Sequence, residues 1–147
     1  MSINTTQSLH TFLETNGHAT TLSGDSVCVA LGTSNHPYTA AFTFHEDTLR
    51  ITCQVALLGD LDEAKIAQIC LAALDANMQI SPYAFAVIGA AAEDVAVAQC
   101  PLVLTDTLLT KDLSEEEVTF SIVKLLEALA FSEEILALGQ APAKSSP

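Results

Sequence analysis

Hydrophobic and polar positions alternate with two periods along this chain, and the switches between them mark its elements. Leu9, Phe12 and Leu13 recur at helical spacing, and Asn16-Gly17 behind them offers the left-handed stop at which a short first helix ends. From Val27 the period becomes two. Val27, Val29 and Leu31 alternate with smaller residues, the stretch from Gly32 to Pro37 carries turn chemistry, and Tyr38, Ala40, Phe42 and Phe44 alternate with Thr39, Ala41 and Thr43. After the polar break Glu46-Asp47-Thr48, the residues Leu49, Ile51, Cys53, Val55 and Leu57 share one face of a third strand, with Arg50, Thr52 and Gln54 on the other. The second and third strands are expected to form an antiparallel hairpin.

Gly59 ends that strand. Asp60 and Glu63 have the spacing of a capping box, ahead of a helix whose inner stripe is Ile66, Ile69, Cys70, Ala73 and Leu74. Ser81-Pro82 breaks the helical pattern, because proline disfavours the helical conformation in its predecessor. Strands are expected at 83–88 and 95–104, separated by Glu93-Asp94. Pro101 has no N–H to give to a ladder, which places it at an edge, a bulge or a break. Ser114 and Glu117 make a second capping box, and Val118, Ile122, Leu125, Leu126 and Leu129 follow the acidic first turn Glu115-Glu116-Glu117 of a long closing helix. Residues 139–147 carry no apolar pattern and are expected to form a flexible tail. The pattern describes a single α+β domain over residues 1–138: an antiparallel sheet of about five strands with helices packed on it, in the order α-β-β-β-α-β-β-α.

Composition narrows what such a domain can do. Of 147 residues half are apolar, enough for a substantial core without disulfide or metal staples. Eighteen acidic residues against five basic ones give a net charge of −13. That charge repels phosphate backbones and anionic headgroups within a Debye length of about 8 Å. Arg50, Lys65, Lys111, Lys124 and Lys144 are scattered, so no basic patch offsets it, and neither nucleic acid nor a membrane surface is an expected partner. No apolar run approaches the roughly 20 residues that span a bilayer. Cys28, Cys53, Cys70 and Cys100 lie far apart in apolar stretches with no C-x-x-C pair, and read as buried thiols. The N-terminus MSINTTQSLHTF has neither a positive n-region nor an apolar h-region, so a reducing cytoplasm is the expected location. High apolar content kept soluble by surplus carboxylates points to a protein partner of basic, amphipathic or apolar character.

The strand-to-helix passage ITCQVALLGDLDEAKI, the segment YAFAVIGAAAEDVAVAQCPLVLTD and the closing helix LSEEEVTFSIVKLLEAL, taken with the element order, resemble the class I type III secretion chaperone fold over residues 5–138. The resemblance implies a bacterial homodimer without enzymatic activity or cofactor, which captures an extended segment of another protein along apolar grooves and strand edges. YbjN-like bacterial proteins share the fold, so a regulatory or stress role on the same scaffold is the alternative, alongside a small ligand-binding domain or a subunit of a larger assembly.

No sharp chemical site stands out. No two of His10, His18, His36 and His45 lie at i, i+3 or i, i+4 on an expected helix, and Ser81, Ser114 and Ser121 sit in no G-x-S-x-G context. Asp60, Asp62 and Glu63 lack the ligand rhythm of a calcium loop, and helix capping explains them more economically. Glu115 to Glu117 likewise suit the helix dipole, and Gly24, Gly32 and Gly89 form no phosphate-cradling motif. No catalytic, cofactor or metal residue is therefore assigned. An enzyme would need distant polar groups to converge, for instance His45 with Cys53 or Asp106. The candidates for a partner-binding or dimer surface are Tyr38, Phe42, Phe44, Leu57 and Leu58, with core packing as the competing role. By strict alternation Leu58 falls on the face of Arg50, Thr52 and Gln54, where it either meets a helix or marks an interface.

Overall fold

Thr5 opens helix α1 (Thr6–Thr15): its hydroxyl accepts the N–H of Ser8 at 3.0 Å, and the Ser8 hydroxyl accepts the Thr5 N–H at 3.1 Å. Leu9 and Leu13 are fully buried, and Gly17, at φ +88°, provides the left-handed exit. The computed structural model describes residues 3–32 and 36–138, so the expected tail at 139–147 lies outside the described residues. Strands β1 (Thr20–Ser23), β2 (Ser26–Gly32), β3 (Pro37–His45) and β4 (Thr48–Leu57) follow, then α2 (Ile66–Ala76), β5 (Ala84–Val87), β6 (Pro101–Leu109) and α3 (Glu115–Ala137). The six strands form one antiparallel sheet in the order β1-β2-β3-β4-β6-β5.

The sheet has one strand more than the apolar pattern predicts. β1 is short and polar apart from Leu22, and it exists because Gly24-Asp25 makes a tight hairpin turn, with Gly24 at φ +61°, that folds it back on β2. Two further differences occur at helix and strand starts. The capping box expected from Asp60 and Glu63 does not form. Leu58 is buried and its N–H is held by the carbonyl of Cys100 at 3.0 Å, so the chain makes two 3-10 turns, and Asp62 instead accepts from the N–H of Ala64 at 3.2 Å before α2 starts. The last strand runs over 101–109 instead of 95–104. A 3-10 turn at Val97–Gln99 occupies its expected start, and pairing with β4 carries it on through the polar Thr105-Asp106-Thr107. Pro101 is the first residue of that strand, a position where a missing N–H costs little.

The sheet face carrying Val27, Phe42, Ile51 and Leu104 packs under the helices, and Leu9, Leu13, Ile69, Ala73, Val118 and Leu125 complete one continuous core. The hairpin of β3 and β4 turns at Glu46-Asp47, with Phe42 opposite Ile51 and Ala40 opposite Cys53. A bulge interrupts β4: Gln54 pairs with Val103, but Ala56 pairs with Leu102, leaving Val55 as an extra residue. The inserted residue reverses the alternation beyond it. Ser114 and Glu117 form the second capping box as expected, and Val118, Ile122, Leu125 and Leu129 are buried along α3, while Leu126 is exposed.

Candidate functional site

An α-helix advances about 100° per residue, so residues two and five positions after Ile69 fall on the side away from it. Ile69, Ala73 and Ala76 are buried against the core. On the other side Leu71 is 67% exposed, Leu74 62%, and Met78, just past the end of α2, 87%. Leu74 therefore leaves the inner stripe that its spacing predicts. Beside this helix face runs β5, an edge strand that pairs only with β6. Between them lies a cleft of about 220 Å³ walled by Cys70, Ala73, Leu74, Phe85, Val87 and Leu102. The strand edge is not fully bare, because Asn77 Oδ1 accepts the N–H of Phe85 at 2.7 Å. What this region offers is an apolar side-chain surface more than an open ladder.

The residues nominated as a partner or dimer surface are placed otherwise. Phe42 is fully buried under the helices, and Leu58 is buried at 2% exposure, so neither offers a surface in this fold. Leu58 turns inward because of the β4 bulge: the reversed alternation sends Leu57 to the side of Pro101 and the next residue toward the core. Tyr38 and Phe44 are half-buried against the core, with the Tyr38 hydroxyl donating to Glu133 Oε2 at 3.2 Å and tying β3 to α3. Leu57 is partly covered. The apolar face of α2 escaped the pattern because Leu71 lies off the stripe; the signal was an apolar residue on every side of LAAL in a helix at the edge of the sheet.

Polar groups converge at one point under α3. The Tyr83 hydroxyl and Ser121 Oγ, both buried, share a hydrogen bond of 2.8 Å, and Asp106 lies close enough for its charge to act on the phenol. Burial above all raises the Tyr83 pKa, and burial likewise raises that of Asp106 against the lowering effect of the Thr107 N–H. Burial pushes the Cys53 thiol up to about 12, which keeps it protonated and unreactive at neutral pH. His45 stands at the β3–β4 turn, opposite Thr48, while Cys53 is buried in the core. His10 is engaged between α1 and β1, its Nδ1 with Thr20 Oγ1 at 2.7 Å and its Nε2 with Glu14 at 3.3 Å. Among the described residues no group of three His, Cys, Asp or Glu side chains could hold a metal ion, and no helix is long and apolar enough to cross a membrane.

No protein-family model matches the chain, and no curated protein matches it. Several solved structures are similar to it, three of them as follows. YbjN from E. coli superposes with a TM-score of 0.61 at 13% identity, covering 89% of this chain and 88% of its own. An uncharacterised protein from Methanothermobacter thermautotrophicus gives 0.57 at 12% identity over 89% and 95%. A chain of the ExsC–ExsE complex gives 0.59 at 14% identity over 99% and 100%. With six antiparallel strands under three helices, the chain has the chaperone-like fold that YbjN and the ExsC–ExsE structure share.

Proposed function

We propose that this chain is a non-enzymatic, chaperone-like binding module that pairs with a second copy of itself through the outer face of α2 and captures a segment of another protein. The observation that carries the proposal is the outward trio Leu71, Leu74 and Met78, of which Leu74 also walls the cleft at β5. Each such side chain gains about 1.5–3 kcal/mol when fully covered. A two-fold contact sets the same patch against itself, so one apolar helix face supplies both halves of the interface. The ExsC–ExsE neighbour is a complex of two different proteins, which supports capture of a partner by this scaffold. A charge of −13 favours a basic or amphipathic segment as that partner. All four cysteines are free thiols, which suits the reducing cytoplasm.

Light scattering behind size exclusion tests the pairing. The 15.5 kDa chain is expected to elute at about 31 kDa, and the double variant Leu71→Glu, Leu74→Glu at the single-chain mass. A wild-type chain that stays at the single-chain mass at high micromolar concentration removes the homodimer from the proposal.

A further inference from the structure

Beside the first turns of α3 lies a second groove, of about 530 Å³, with different chemistry. Pro82, Leu108 and Phe120 form apolar walls, and the carboxylates of Asp106, Glu116 and Glu117 stand among them. Phe120 is 56% exposed and also walls a cleft of about 400 Å³ on its other side, which reaches Phe12 and Asn16 and again includes Glu116. The two clefts share Phe120 and Glu116 as wall residues, so these two side chains stand between them at the start of α3.

The three carboxylates are unequally engaged. Glu117 Oε1 accepts from the Ser114 N–H at 3.0 Å and from its hydroxyl at 3.1 Å, so it serves the helix cap. Glu116 is exposed. Asp106 Oδ1 accepts the N–H of Thr107 at 2.8 Å, while Oδ2 is shut off from water and has no hydrogen-bond partner. A half-satisfied, partly desolvated carboxyl group gains from a cation placed near it. The Phe120 ring already accepts one cation: Lys124 Nζ stands 5.5 Å from its centroid, itself held by Glu127 at 3.3 Å.

We propose that this groove docks a polypeptide segment in which a lysine or arginine stands next to large apolar side chains, the cation meeting the exposed Glu116 carboxylate within the field of Asp106 while its neighbours cover Phe120, Leu108 and Pro82. The proposal rests on the chain's role as a binder of partner segments and names the chemistry of the segment. Charge complementarity selects this occupant: an acidic segment is repelled by the same carboxylates, and a purely apolar one leaves Asp106 buried without a counter-charge.

The test is to pan a phage-displayed library of random twelve-residue peptides on the purified full chain in low salt. Enriched peptides are then titrated by fluorescence anisotropy against wild type, Phe120→Asp, the pair Asp106→Asn with Glu116→Gln, and the remote pair Asp25→Asn with Asp94→Asn. Enriched peptides are expected to place Lys or Arg beside Leu, Ile, Val or Phe. Their affinity is expected to fall at least about tenfold in the first two variants, to stay within about twofold in the remote pair, and to weaken as salt rises. Absence of enrichment, enrichment without basic residues, or equal affinity for wild type and the groove variants overturns the proposal. The dimer is judged separately by its mass: a dimer that selects no basic peptide sinks the groove alone, and a monomer that selects them sinks only the dimer.

Discussion

The β3–β4 hairpin and the α2–β5 edge are both rich in large apolar residues, yet they treat them in opposite ways. In the hairpin Phe42, Leu49, Ile51 and Cys53 are completely covered within one subunit. At the edge Leu71, Leu74 and Met78 stand in water, and Leu74 also walls an apolar cleft. The hairpin keeps period two up to the bulge at Val55, and the subunit's own core covers its inward face. The edge helix is apolar on more than one side, and nothing among the described residues covers its outer side. The contrast teaches that apolar residues breaking the local period are the better guide to apolar surface left open than those that keep it.

The contrast can be broken from either side. Phe42→Ala opens a cavity in the sealed region and is expected to cost about 3–5 kcal/mol in urea unfolding; a loss below 1 kcal/mol contradicts close packing there. Tyr83→Phe leaves the buried Ser121 hydroxyl without its 2.8 Å partner and is expected to cost about 1–3 kcal/mol by the same measurement. Ser114→Ala removes the cap of α3, for about 1 kcal/mol, read as a lowered melting temperature. On the open side Leu71→Glu and Leu74→Glu are expected to change the stability of the dilute, unpaired subunit by no more than about 0.5 kcal/mol each.

The smallest expected effect is one of pH. Burial raises the Asp106 pKa, so the fold prefers the neutral acid, and its contribution is fully present below the ordinary value of 3.8 and lost as pH rises through the raised one. Asp106→Asn is expected to unfold at a higher urea midpoint than wild type at pH 7, with the gap closing toward pH 3.5. A gap that does not depend on pH means that the carboxyl group is not desolvated as described.

Much of the architecture was legible in the residues, and the failures have physical causes. Period two in Leu49, Ile51 and Cys53, the capping box of Ser114 with Glu117, and the exit at Gly17 are local signals that tertiary contacts did not override. β1 escaped because its four residues bury almost nothing and announce themselves only through Gly24-Asp25. The start of β6 was misplaced because Val95 and Val97 look like strand residues, yet Val97 belongs to a 3-10 turn. The surface residues fared worse. Tyr38, Phe42 and Phe44 satisfy the alternation that builds a core, and whether such a face is covered by the chain's own helices or by a partner is a long-range matter that spacing does not encode. The hydrogen bond of Tyr83 with Ser121, with Asp106 nearby, joins distant segments of the chain and left no mark on any local one.

The single supernumerary residue at Val55 acts as a steering device. Without it Leu58 would point to the far side of the sheet, and the chain would leave β4 heading away from the layer where α1 and α3 lie. Deleting that residue would therefore do more than shorten a strand: it would swing the outgoing backbone across the sheet and carry α2 with it. The direction in which the chain leaves β4 toward α2 is thus set by one amino acid in the middle of a strand.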